Sequence, residues 1–122
     1  MASKDELSRF IRSSFRSVWS LELLLLLKRE RRTWTHAELV AALRASDLIV
    51  GQGLEALTAA GLVSLDADGG AAYMPVSEWV GQLVDETETF YARSPDAVRR
   101  LIVSASASGL AAFADAFRLR RD

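Results

Sequence analysis

Between Trp19 and Leu27 the chain reads Trp-Ser-Leu-Glu-Leu-Leu-Leu-Leu-Leu, a helical stretch that is apolar on nearly every side. A helix that is hydrophobic all round cannot lie on the surface of a domain and must be buried by several neighbours at once. It is also far too short to cross a bilayer, which takes about 20 apolar residues. The segment therefore predicts a central post around which the rest of the chain packs. The same spacing extends upstream. Leu7, Ile11, Ser14, Val18, Leu21 and Leu25 recur at three and four residues, predicting helix from Asp5 to Arg32 with Arg9, Arg12 and Arg16 along another face. The basic run Lys28, Arg29, Arg31, Arg32 falls where it suits the negative end of the helix dipole.

Beyond this post, short signals follow one another closely. Arg32 to Thr35 is β-prone, and Thr35-His36-Ala37-Glu38 has the form of a capping box, predicting a second helix from His36 to Arg44 that buries Leu39, Val40 and Leu43. Ser46 is placed to cap a third helix, Asp47 to Ala60, whose apolar face is Leu48, Val50, Leu54 and Leu57. Gly61 supplies the left-handed residue that stops it. Leu62 to Leu65 alternates as a half-buried strand, Asp66-Ala67-Asp68-Gly69-Gly70 carries turn residues, and Ala71 to Met74 returns as a second strand before Pro75. Ser77 then caps a helix through Ala92, Ser94-Pro95-Asp96 starts another, and Leu110, Phe113 and Phe117 stripe a last one. The fold class is mainly α with a small β-hairpin, in one domain spanning residues 1–122 with a C-terminal helical extension over 77–122.

The order from Thr35 to Pro75 resembles the winged helix-turn-helix superfamily, in particular bacterial regulators of the MarR and PadR kind. The stretches that carry the likeness are Thr35 to Val40, Leu54 to Val63 with its L-x-x-L-x-x-x-G-L-V pattern, and the Tyr73 strand, about the middle third of the chain. The resemblance implies a winged helix with extra N- and C-terminal helices, acting as a homodimeric transcription factor. Its third helix would enter the major groove of DNA, its hairpin tip would reach a minor groove, and its terminal helices would form the dimer.

Charge sets this chain apart from that pattern. Residues 1–32 hold eight basic and four acidic side chains, residues 33–92 hold one basic (Arg44) and nine acidic, and residues 93–122 hold six basic and three acidic. The third helix has no lysine or arginine. Its candidate contact residues are Asp47, Gly51, Gln52, Gly53 and Glu55, with Asp66 and Asp68 at the hairpin. Gln52 alone could read a base edge, whereas carboxylates meet phosphates with like-charge repulsion. Arg9, Arg12 and Arg16, interleaved with Phe10 and Phe15, are the cations that could contact phosphates; a solvated helix face is the other reading of them. Arg118, Arg120 and Arg121 form a further basic group.

Two functions from different classes follow. The expected one is a dimeric winged-helix transcriptional regulator with phosphate contacts from its basic flanks. The alternative is a winged-helix protein-interaction module whose acidic third helix and hairpin dock a partner. DNA and a protein are thus the two candidate partners, and neither a membrane nor a cofactor is expected. An enzyme is not expected either. His36 is the only histidine, there is no cysteine, and Gly51-Gln52-Gly53 lies inside a helical pattern without the strand or third glycine of a dinucleotide motif. Asp85 and Glu88 share one side of a helix while Glu86 turns away, the arrangement of a solvated charged face. Trp19, Trp34 and Trp79, each flanked by apolar positions, read as core or subunit contacts. Gly51 and Gly53 admit either a partner's backbone or a crowded helix crossing. Without an apolar leader, the N-terminus leads us to expect a soluble, cytoplasmic protein.

Overall fold

The computed structural model describes residues 2–105. Its elements are α1 (Lys4–Ser14), α2 (Val18–Arg29), α3 (His36–Leu43), α4 (Asp47–Ala59), strands β1 (Val63–Leu65) and β2 (Ala71–Tyr73), and α5 (Glu78–Arg93). A further helical stretch, α6, covers residues 95–105. The architecture is mainly helical with one two-stranded antiparallel sheet. The expected stripe Leu110, Phe113, Phe117 lies outside the described residues, as do Arg118, Arg120 and Arg121.

The helix expected from Asp5 to Arg32 is two helices. Phe15 leaves α1 in an extended conformation (φ −116°, ψ 115°) and is 1% exposed, meeting Phe10 edge-on at 6.0 Å between ring centres. Two residues later a new N-terminus forms. The Ser17 hydroxyl accepts from the Ser20 amide at 3.2 Å, and the Ser20 hydroxyl accepts from the Ser17 amide at 3.4 Å. Burial of one aromatic ring and a reciprocal serine cap outweigh the continuous apolar spacing.

The post itself forms as expected. Leu21, Leu23, Leu24, Leu25 and Leu27 are all buried, and α2 touches α3, α4 and β2. α4 crosses α2 at Gly53, where a Cβ would sit 3.0 Å from Leu23 Cδ2 and 4.0 Å from the Ser20 Cα. Crowding between the two helices is therefore the reason for this glycine. Gly51 differs: a Cβ there would stand 3.6 Å from His36 Cε1, an ordinary contact.

α3 and α4 start on the side-chain caps expected of Thr35 and Ser46. α4 buries Val50, Leu54 and Leu57, but Leu48 is 67% exposed. At about 100° per residue, Leu48 falls opposite that stripe, on the side of Gln52, Glu55 and Ala59. Gly61, at φ 76°, ends the helix and turns the chain into β1. β1 pairs with β2 through Val63 and Tyr73, Ser64 and Ala72, and Leu65 and Ala71. The alternation expected of Leu62 to Leu65 is replaced by a gradient, since Leu62 and Val63 are both buried and Leu65 is 45% exposed. The strand leaves the core as it runs. Ala71 also exchanges two backbone hydrogen bonds with Trp34, each 2.8 Å, so the Arg32–Thr35 stretch contributes one isolated bridge to the sheet edge. Ser77 caps α5, and Val98 and Ile102 of α6 are buried.

Glycine in a helix interior costs about 1 kcal/mol relative to alanine. Gly51→Ala should therefore raise stability by about 0.5–1 kcal/mol. Gly53→Ala should fall short of it by about 1 kcal/mol or more, because Leu23 must yield inside a packed core. Denaturant unfolding of the two variants checks this, and equal gains would refute the crowding.

Candidate functional site

The outer side of α4 is a ridge with a hollow on each flank. The first hollow, about 640 Å³, lies between α4 and the start of α2 and is lined by Arg16, Ser17, Trp19, Ser20, Ile49, Gln52, Gly53, Glu55, Ala56 and Ala59. The second, about 490 Å³, lies between α4 and the hairpin and is lined by His36, Gly51, Leu54, Glu55, Thr58, Ala59, Leu65 and Gly69. Glu55 and Ala59 border both, so they form the crest. Trp19, 44% exposed, and Ile49, 38% exposed, put apolar surface in the first hollow; Leu48 stands exposed on the same helix.

The expected site residues separate into groups. Gln52, Gly53, Glu55 and Arg16 come together in the first hollow, while Gly51 lines the second. Asp47 projects from the first turn of α4 with its side chain 89% exposed. His36 Nε2 stands 2.7 Å from Asp47 Oδ1 and 3.1 Å from the Asp47 carbonyl oxygen, joining the start of α3 to the start of α4. Arg9 and Arg12 do not belong to this group. They are exposed on α1, which packs on α5, and line neither hollow. The break at Phe15 is what parts them from Arg16.

Arg16 is thus the one arginine or lysine that lines either hollow among the described residues. The hairpin adds Asp66 and Asp68, both exposed. Asp66 Oδ1 is already engaged by the turn, accepting from the amides of Asp68 at 3.0 Å and Gly70 at 2.7 Å. Trp19 is a site residue that the sequence reading assigned to core or subunit contact. Its exposure follows from the helix break, since the first turn of α2 sits at the edge of the domain. Trp34 is 5% exposed, as a core residue should be, and its Nε1 donates to the Glu30 carbonyl oxygen at 3.0 Å; Trp79 is 43% exposed.

The remaining basic residues near the post serve the fold. Lys28 donates to Glu88 at 2.7 Å and lies 3.1 Å from Asp85, and Arg29 reaches Glu88 at 3.2 Å. The acidic cluster on α5 is therefore a clamp on the end of α2, not a solvated face; Glu86 does turn away, accepting from the Ala2 amide at 3.2 Å. Arg32 pairs with Glu38 at 3.2 Å and lies 3.7 Å from the centre of the Trp34 ring, while Arg31 lies 5.3 Å from that of Tyr73. The hydrogen bond from Lys28 holds the Glu88 carboxyl below its ordinary range, and Glu88 in turn raises the Lys28 ammonium. The Thr35 amide and hydroxyl lower Glu38 through the capping box. Burial raises Tyr91, whose hydroxyl donates to Glu22 at 2.5 Å.

No protein family, curated protein or solved structure matches the chain. Among the described residues no helix is long and apolar enough to cross a membrane.

The clamp gives a pH signature. Glu88, lowered in the fold, contributes stability that is present above its ordinary value of 4.5 and is lost as pH falls through the folded value. Lys28, raised in the fold, contributes stability that is present below its ordinary value of 10.5 and is lost as pH rises through the folded value. Glu88→Gln should cost about 1–2 kcal/mol at neutral pH, and this difference from the unmodified chain should shrink in acid. Urea unfolding across the acid range measures it; a difference independent of pH would rule the clamp out.

Proposed function

We propose that this chain is a protein-interaction module built on winged-helix lines, whose α4 and hairpin face docks a basic, partly apolar segment of a protein partner. The element order supports the fold reading: post helix, bridging residue Trp34, two helices meeting at a tight turn, then a hairpin that returns to Trp34. One observation carries the functional reading. The face that would enter a DNA groove presents Asp47, Glu55, Asp66 and Asp68 around exposed Trp19, Leu48, Ile49 and Leu65, with Arg16 as the arginine in its hollows. Affinity for DNA comes chiefly from cations that replace condensed counterions. A protein interface instead centres on a few apolar anchors, tryptophan foremost, inside a polar rim.

On this reading Trp19 is the anchor and the carboxylates select a cationic partner. A photocrosslinker at Gln52 in the full chain should capture a partner from its native cell extract. Asp47→Lys together with Glu55→Lys should reduce capture at least tenfold, and Trp19→Ala should do the same. Capture undiminished by the charge reversal would sink the acidic-face reading.

The regulator reading has Arg16 in its favour, because this cation lies in the same hollow as Gln52. If α4 reads DNA, Gln52→Ala relaxes sequence preference, and Arg16→Ala weakens binding and flattens its salt dependence. Gel retardation of genomic fragments at low salt decides between the two. On the interaction reading no fragment is retarded.

A further inference from the structure

We propose that the α4 face of one copy of this chain docks helix α1 of a second copy, with Arg9 and Arg12 of the one meeting Glu55 and Asp68 of the other. This rests on the reading of that face as an interaction surface and names an occupant for it. α1 has the chemistry that the face calls for in a partner. Its two acids, Asp5 and Glu6, stand in the first turn, where Glu6 is held by the capping box with Ser3. The charged residues of its C-terminal half are Arg9 and Arg12 alone. Both are exposed, and a spacing of three residues puts them on one side of the helix.

Charge complementarity selects this pairing. Lys28 and Arg29 hold Asp85 and Glu88, Arg32 holds Glu38, and Arg99 holds Asp96. Among the described residues Arg9 and Arg12 make no ion pair, and neither do Glu55, on the crest between the two hollows, and Asp68, at the hairpin. Within one copy these charges stay apart, because α1 packs on α5 and lines neither hollow. A second copy can bring them together. Arg44, Arg93 and Arg100 are exposed cations too, but they stand on three different elements, at the ends of α3 and α5 and on α6. Arg9 and Arg12 offer two charges on one helix face. Leu65, 45% exposed in the hollow beside Glu55, gives the alkyl stems of the arginines apolar surface to cover. The contact joins unlike faces, so each copy keeps one free face of each kind, and the assembly closes into a ring or runs on as a chain.

Charge exchange between copies tests the contact in the full chain. By sedimentation velocity at low salt, the mean mass should rise with concentration, and high salt should weaken the association at least tenfold because exposed charges are screened. Arg9→Glu with Arg12→Glu, and separately Glu55→Lys with Asp68→Lys, should each weaken it at least tenfold. Mixing these two variants should restore it, as should the chain that carries all four changes. Arg93→Glu with Arg100→Glu has the same net charge as the α1 variant and serves as the control. It should self-associate like the unmodified chain and gain nothing when mixed with the Glu55→Lys, Asp68→Lys variant. A mass that stays monomeric at low salt, a mixture no stronger than its components, or a control that behaves like the α1 variant would overturn the proposal. The two readings fail separately. A monomeric mass, with capture of a different protein still sensitive to Asp47→Lys and Glu55→Lys, removes the second copy alone. Association restored by mixing, with capture of other proteins indifferent to those changes, removes the foreign partner alone.

Discussion

The structure depends on burying α2 from all sides. A helix with leucine at six of the seven positions from Leu21 to Leu27 has almost no face to give to water, and α3, α4 and β2 pack over it. α4 comes close enough to need a glycine at the crossing, and Ala71, opposite Leu65 of β1 on one side, exchanges both of its backbone hydrogen bonds with Trp34 on the other. Solvent reaches α2 chiefly at its ends, Glu22 and Leu26 between them being partly buried. Its C-terminal end is closed by the Lys28 clamp to α5, and its N-terminal end leaves Trp19 half exposed beside α4. The candidate surface is thus a product of the same constraint that builds the core, since it forms where covering the post stops.

That constraint also sorts the charges. The basic excess of residues 1–32 looks, in sequence, like a reserve of phosphate contacts. In three dimensions Lys28, Arg29 and Arg32 neutralise carboxylates of α5 and α3, and Arg31 and Arg32 cover aromatic rings of the sheet edge. Among the described residues Glu38, Asp85 and Glu88 are thereby paired with lysine or arginine, whereas Glu55 on α4 and Asp68 at the hairpin are not, and Asp47 meets only His36. A net charge of −1 for the whole chain conceals this division.

Features governed by local chemistry were legible in the sequence. The caps at Thr35, Ser46 and Ser77 and the left-handed Gly61 depend on a few neighbouring residues, and each stands where its residue type placed it. What escaped depended on contacts distant in sequence. The three- and four-residue spacing runs unbroken across Phe15, so periodicity joined α1 to α2, and the burial of that ring with the Ser17–Ser20 cap separates them. Leu48 was counted with the buried stripe because it is apolar, although helical geometry sets it opposite. Trp19 and Arg16 gained their places beside α4 from the same break, whose local mark, the Ser17–Ser20 cap, lies inside an apolar spacing that hides it. The two glycines of α4 illustrate the limit well: adjacent in pattern, one answers to a leucine thirty residues away and the other to an ordinary contact.

Electrostatic magnitudes weigh on what a ridge of this kind can dock. Two like charges at about 4 Å repel by about 1 kcal/mol in bulk water and by more near a protein surface. A helix that carries Asp47 and Glu55 into a groove lined by phosphates meets that repulsion at each carboxylate, and Asp68 adds to it at the hairpin. The counterion release that drives nucleic-acid binding scales with the number of cationic contacts, and Arg16 is the one arginine or lysine among the described residues that lines the hollows beside α4. Against a cationic peptide the same carboxylates attract instead of repel, and the hollows beside them give aromatic or aliphatic side chains a place to leave water. The sign of the charge on α4 therefore decides more about this surface than the order of helices and strands that presents it.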